Sequence, residues 1–438
     1  MTLLIPLAGI IALILLILYL KLDPFISFIV VSIGMGLACG MPVGRLSAAL
    51  ETGIGNILGS LVIILGFGAM LGRLVADSGA AQRITLSLTR AFGVRHLQWG
   101  MALAGLIVGI PIFYTAGFVI VVPLIFAIAN TTRLPLLYVG IPMLSALSVA
   151  HGYLPPHPSP TAISAQLHAD LGKTLLYGLI VAVPAIILAG PLFGRTLKRF
   201  RPEPNNEILR LKQLPESELP GLGISLLSAL LPVILLSLST LFNVFQVKDG
   251  PFKRFIDFVG NANMAMLISV LFATWFLGIR RGNSMKTVMK ALEDAFKNIA
   301  PLMLIIAGSG VFMEVMKEGG INTDLGEALR HLAVPPLILG WLIAAIIRVC
   351  IGSATVAGLT TVGMILPLLQ QQPVHPELMV LSIGAGSLMF SHVNDGGFWM
   401  FKEYFNLSMK DTFRTWSVME TIVSVAGLCG VLILQTLL

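Results

Sequence analysis

Apolar and polar positions fall into blocks along this chain. Apolar runs cover Leu3 to Leu20, Pro24 to Met41, Ile57 to Leu71, Gly100 to Ala129 and Leu222 to Phe242, and several more follow. Runs of about 20 apolar residues match the hydrocarbon thickness of a bilayer. In lipid each run must satisfy its own backbone hydrogen bonds, which makes it a helix. A large soluble core is the competing explanation, but no soluble fold needs so long a succession of such runs. The pattern therefore predicts an all-α polytopic membrane protein. The first run lacks a basic n-region and a small-residue cleavage site, so it reads as a first transmembrane helix rather than a signal peptide.

Composition removes the soluble alternative. Of 438 residues, 56% are hydrophobic and 11% charged, against about 25% charged in soluble domains. The net charge of +7 points to no nucleic-acid partner, because Lys and Arg in a membrane protein collect in cytoplasmic loops. Cys39, Cys350 and Cys429 are odd in number and set in apolar sequence; they read as small core residues, not as disulfides or metal ligands. No spacing suits zinc, no cofactor is implied, and the absence of a phosphate-binding loop argues against ATP-driven pumping.

The chain repeats itself. Ala49-Leu50-Glu51 followed by Asn56-Ile57 recurs as Ala291-Leu292-Glu293 followed by Asn298-Ile299, at an offset of 242 residues. Gly66-x-Gly68 recurs as Gly308-x-Gly310 at the same offset, and His151 aligns with His392 one residue short of it. Charges in equivalent loops are opposed. Arg73 to Arg95 carries four Arg, whereas Glu314 to His331 is mostly acidic; residues 41–55 hold one basic residue, whereas 280–297 hold five. By the positive-inside rule equivalent loops face opposite sides of the membrane. The expectation is two inverted-topology repeats, 1–197 and 221–438, each of about five transmembrane helices plus a re-entrant hairpin. The basic segment 198–220 joins them as a cytoplasmic linker. The loop holding Lys248, Lys253 and Arg254 dissents mildly, partly offset by Asp249 and Asp257. Inverted repeats mark secondary transporters; a passive channel or an intramembrane hydrolase is the alternative of a different class, and no nucleophile–base pair at helical spacing supports the latter.

Each half is interrupted twice. Residues 99–129 are too long for one upright span and break around Gly109 to Gly117; residues 337–369 break at Gly352-Ser353-Ala354-Thr355. Both are expected to be re-entrant hairpins. The run His151 to Pro160 contains four prolines, each of which removes a donor and clashes with the preceding turn, so a broken helix is expected over 136–170. Its counterpart over 376–401 breaks at His392 to Trp399. Irregular backbone at membrane depth is tolerated where it lines a cavity, and half-helix N-termini there favour an anion. The four breaks are expected to meet at one midplane site.

The candidates at those breaks each have a plainer explanation. Arg348 lies within an apolar hairpin arm, where a charge is costly unless paired or facing a cavity; it either grips a substrate carboxylate or pairs with Asp395. Ser353 and Thr355 either contact substrate or cap a half-helix. Asn394 suits hydroxyl groups as donor and acceptor together. Asp395 either takes a proton or stays paired with Arg348. His151, His392 and His157 titrate near neutrality and are proton-relay candidates; the repeat equivalence of the first two fits a structural role, leaving His157 the freer. Tyr114 and Thr115 mark the first hairpin tip, where packing would also explain the tyrosine.

The stretches His-Gly-Tyr-Leu-Pro-Pro-His-Pro within Leu144 to Ala162, Gly-Ser-Ala-Thr-Val-Ala within Arg348 to Ala357, and Ser-His-Val-Asn-Asp-Gly-Gly-Phe-Trp at Ser391 to Trp399 resemble the gluconate permease family. Gly66 to Arg73 and Phe401 to Leu407 are similar too, so the resemblance covers essentially the whole chain. It implies proton-coupled uptake of gluconate or a related sugar acid across the bacterial inner membrane, in an elevator-type transporter that is often dimeric. Sodium coupling, or a different small hydroxy-carboxylate, is the alternative within that class. Family members commonly carry an acid after the aromatic residue at the first tip, where this chain has Thr115.

Overall fold

The computed structural model describes residues 4–200, 202, 214–320, 334–369, 374–393 and 395–438. Among the described residues there is no strand, and eight helices are long and apolar enough to cross a membrane. Helix α1 (Leu4–Leu18) leads into α2 (Pro24–Ala38), α3 (Val43–Asp77), α4 (Ala80–Phe92), α5 (Leu97–Gly109) and α6 (Tyr114–Thr132). Then come α7 (Leu136–Tyr153), α8 (Pro158–Gln166) and α9 (Leu171–Ile187). After the linker follow α10 (Leu222–Val244), α11 (Pro251–Gly260), α12 (Ala262–Ala273) and α13 (Met285–Glu318). The chain closes with α14 (Pro336–Ile351), α15 (Ala354–Leu369), α16 (Pro376–Gly386), α17 (Gly396–Tyr404) and α18 (Val418–Gln435).

Two long helices form the spine. Helix α3 has 35 residues and α13 has 34, about 50 Å each at about 1.5 Å per residue. Each ends at glycine in the left-handed region, Gly79 (φ +79°) and Gly320 (φ +73°), which no β-carbon hinders. They cross where Gly53 meets Gly310: a β-carbon on Gly53 would sit 2.7 Å from the Gly310 carbonyl oxygen. Without hydrophobic exclusion to drive helices together in lipid, such small-residue contacts hold them by close packing. The repeated glycines both admit a phenylalanine, Gly66 the Phe296 ring of α13 and Gly308 Phe28 of α2. Helix α2 packs on α13 and α12 packs on α3.

The remaining helices carry the interruptions. Helix α5 stops at Gly109 and α6 resumes at Tyr114; α14 stops at Ile351, Gly352 turns the chain at φ +85°, and α15 begins at Ala354. The two pairs differ. Helices α14 and α15 pack on one another, whereas α5 and α6 pack chiefly on α7. The cause is the direction of their glycines: Gly105, Gly109 and Gly117 all face α7, at Met143 and Leu147, so α7 is drawn in between the arms. Helix α7 in turn gives way to α8 across Leu154 to His157, and α16 to α17 across Ser387 to Asp395. Helices α7 and α16 touch backbone to backbone, Gly384 lying on the Gly152 carbonyl.

The described end of the linker is fastened to α4. The Gln82 amide donates to the Leu214 carbonyl (2.9 Å) and accepts from its N–H (3.2 Å); Arg83 Nε donates to the Pro220 carbonyl (2.9 Å). Arg90 and Arg83 both reach Glu216, and the Arg90 guanidinium holds that carboxyl below the usual carboxylate range, with Arg83 adding to the effect. A lowered carboxylate contributes stability above its unfolded pKa and loses it as pH falls through the folded one. Glu216→Gln should therefore lower the thermal midpoint slightly at pH 7 in low salt, and the difference should vanish on acidification below that lowered pKa. The effect stays small because exposed pairs contribute little.

Candidate functional site

A cavity of about 1010 Å³ opens where the interrupted helices meet, at the upper end of the about 300–1,000 Å³ typical of small-molecule sites. It is lined by Tyr114 and Thr115 at the start of α6, Ser148 and His151 on α7, and Arg348, Ser353 and Thr355 around the α14–α15 turn. Asp395 before α17, Trp416 and Glu420 at the start of the last span, Arg73 and Asp77 on α3 and Asn298 on α13 line it too. Seven of the residues expected from sequence thus share one cavity. His157 and His392 are not among its lining, and Asn394 lies outside the described residues.

Arg348 is 4% exposed. Its Nη2 donates to Asp395 Oδ2 at 2.5 Å, while Nε and Nη1 are buried without a hydrogen-bond partner among the described residues. A guanidinium presents five donors in a planar fork, so the ion pair leaves most of this fork unused beside the cavity. Asp395 is held on several sides: it accepts from Arg348, from the Ser391 hydroxyl and, as N-cap of α17, from the Gly397 N–H at 3.0 Å. That network continues to Trp416, whose Nε1 donates to Ser391 Oγ at 2.8 Å. Asp395 therefore fixes the arginine and starts the helix; the expected pairing of Arg348 with Asp395 is present, and it engages one of the three guanidinium nitrogens.

Ser353 Oγ accepts from the Val356 N–H at 3.3 Å and caps α15. Tyr114 packs on His151 (centroids 5.6 Å apart) and Trp416 (6.2 Å), and its buried hydroxyl has no partner among the described residues. His151 Nδ1 is likewise buried without a partner. His157 stands behind His151, rings 5.5 Å apart, with Nε2 against the Gly109 carbonyl at 2.5 Å; it ties the α7–α8 break to the end of α5. His392 Nε2 lies 2.8 Å from the Val349 carbonyl, so it braces the arm that carries Arg348.

Glu420 was not among the residues singled out from the sequence. It is 2% exposed, and both its carboxylate oxygens face the Ser148 hydroxyl, at 2.7 and 2.9 Å. The signal that marks it is its place: an acid within the 27-residue apolar span Met409–Gln435, where an ionisable group is a functional candidate by default.

Comparison with known proteins now adds to this geometry. The model of the GntP family of permeases matches residues 1–437. The chain belongs to the GntP permease family. The gluconate permease of Bacillus subtilis (strain 168) is 47% identical over 99% of both chains. A high-affinity gluconate transporter of Escherichia coli (strain K12) is 45% identical over 99% of both, and the Gnt-II system L-idonate transporter of the same organism 43% over the full length of both. Among solved structures, the YdaH transporter of Alcanivorax borkumensis is similar at TM-score 0.68 with 16% identity, over 95% of this chain and 98% of that one. MtrF of Neisseria gonorrhoeae is similar at 0.66 with 14% identity, over 97% of each. Those two likenesses concern the fold. The permease is thus a multi-pass inner-membrane transport protein, not an enzyme.

Proposed function

We propose that this permease takes up gluconate or a related sugar acid together with protons, by elevator-like alternating access. The observation that carries the reading is the half-used guanidinium of Arg348 facing a cavity in a member of this family. A carboxylate accepts two parallel N–H bonds from such a fork, and the hydroxyls and aromatic faces of Tyr114, Thr115, Ser353 and Thr355, with Asn394, suit a polyol tail. His151, His157, His392 and Asp395 are the proton-path candidates that the sequence offers. The names of the relatives support a sugar acid, L-idonate included.

The inverted-repeat reading has support of its own. The two 242-residue-spaced motifs lie on α3 and α13, the paired long helices, and the turns at Ile110 and Gly352 occupy the same spacing. In this scheme residues 1–72 and 221–314 supply most of a static scaffold. Residues 97–197 and 337–410 supply most of a moving body, and the protein works as a homodimer.

The test is uptake of labelled gluconate by proteoliposomes under an imposed proton or sodium gradient. Accumulation driven by the proton gradient, inhibited by excess unlabelled gluconate, is the expected result. No accumulation under either gradient sinks gluconate symport; accumulation under sodium alone sinks proton coupling; and accumulation of labelled L-idonate where labelled gluconate does not accumulate reassigns the substrate.

A further inference from the structure

We propose that Glu420, buried in the cavity wall against the Ser148 hydroxyl, is the group that carries the coupling proton. The inference rests on the proton-symport reading above and names the residue that performs it. Three observations converge on it.

The first is how poorly the ionised form is served. Ser148 Oγ is the donor to both carboxylate oxygens, yet a hydroxyl has a single hydrogen. Among the described residues no cation stands within ion-pair distance of Glu420. A buried carboxylate so placed is easily neutralised by a proton. The protonated acid can donate to Ser148 Oγ, so the same pair serves either state with one rotation of the hydroxyl.

The second is the company it keeps. From α7 it is faced by Ser148, His151 and Tyr153; from α6 by Tyr114; from α14 by Arg348; and from the segment before α17 by Asp395. Tyr153 is committed to the Val423 carbonyl and Asp395 to Arg348, Ser391 and Gly397. His157 Nε2 is committed to the Gly109 carbonyl. His151 shares the cavity wall with the Arg348 guanidinium, which disfavours a second positive charge. Of the two carboxylates here, Asp395 has its cation and Glu420 has none within ion-pair distance among the described residues.

The third is charge. Arg348 and Asp395 cancel, as do Arg73 and Asp77, which also line the cavity and pair at 2.6 Å, so the empty cavity with Glu420 ionised carries one negative charge. With a sugar-acid anion on Arg348 and a proton on Glu420 it again carries one; the anion without its proton would make two. An anion in the cavity therefore favours proton binding on Glu420, and by reciprocity the proton favours the anion by the same factor. The proton comes from water on the outer side, adds to one carboxylate oxygen, and leaves to water on the inner side. The cargo, one anion and one proton, is neutral.

Full-length protein in proteoliposomes decides the matter. Under a one-unit inward proton gradient the wild type should accumulate labelled gluconate about tenfold, since one pH unit and a tenfold ratio are the same free energy. E420Q keeps the shape and removes the titration. It should bring the ratio to about one, while gluconate-for-gluconate exchange continues and no longer varies with pH. E420Q that still accumulates gluconate overturns the assignment. Wild type that does not accumulate it overturns the symport reading itself. If E420Q is not monodisperse, E420D serves: its shorter carboxylate should move the pH midpoint of uptake by half a unit or more, and an unmoved midpoint overturns the proposal.

Discussion

Arg348→Ala should abolish saturable gluconate binding, with at least a 100-fold loss of affinity. The guanidinium has two buried nitrogens with no partner among the described residues, and hydrogen bonds to charged groups are worth about 1.5–3 kcal/mol each. Two of them account for about two to four decades of affinity. The substitution has a second consequence, because Asp395 loses its ion-pair partner. Stranding one member of a buried pair costs about 3–5 kcal/mol, so lower thermal stability should accompany the lost binding. Arg348→Lys separates the two effects. It keeps a charge for Asp395 but loses the planar fork, so stability should largely return while binding remains weak. Binding isotherms on purified protein, read beside thermal midpoints, check both. Unchanged affinity in Arg348→Ala removes the arginine from the substrate site.

Gly310→Ala, or Gly53→Ala, should have the largest effect on the fold itself. A β-carbon at Gly310 would fall 2.6 Å from the Ile57 side chain and hard against the Gly53 carbonyl; at Gly53 it would fall 2.7 Å from Val311 Cα. Two of these neighbours are backbone atoms, which cannot turn aside as a side chain can. Overpacking costs about 1–3 kcal/mol in ordinary cores, and the upper end is expected where helices must separate. The measurement is the thermal midpoint and monodispersity in detergent. The double variant should be no worse than the sum of the singles, because one separation of α3 from α13 relieves both clashes. A midpoint within one degree of wild type for both singles would show that the spine does not depend on this crossing.

The membrane class was plain from the sequence because hydropathy is a local property. Helix interruptions were legible for the same reason: Pro155, Pro156, Pro158 and Pro160, and Gly352, act on their own backbone. Arg348 and Asp395 stood out as charges amid apolar residues, and the structure pairs them at 2.5 Å. What stayed hidden depends on direction. Gly109 and Gly117 bound the expected break, whereas in three dimensions they join Gly105 in forming the faces that admit α7, so α5 and α6 part. His157 and His392 stood out as histidines at the helix breaks; their surroundings commit them to the Gly109 and Val349 carbonyls. Glu420 lies outside every quoted motif and more than 50 residues beyond the α14–α15 turn, and only packing brings it to Ser148.

The contact between Ser148 and Glu420 spans 272 residues, and it sets a clock for biogenesis. At about 5–20 residues per second, α7 enters the bilayer about 14–54 seconds before the segment that completes its surroundings. During that wait Ser148, Tyr153 and the Gly152 backbone, all later covered by α16 or α18, have no native partners in lipid. A nascent first half must therefore be sheltered, by the insertion machinery or by its own provisional packing, until translation is almost finished. A ribosome that stalls before Glu420 leaves a chain that cannot close its site.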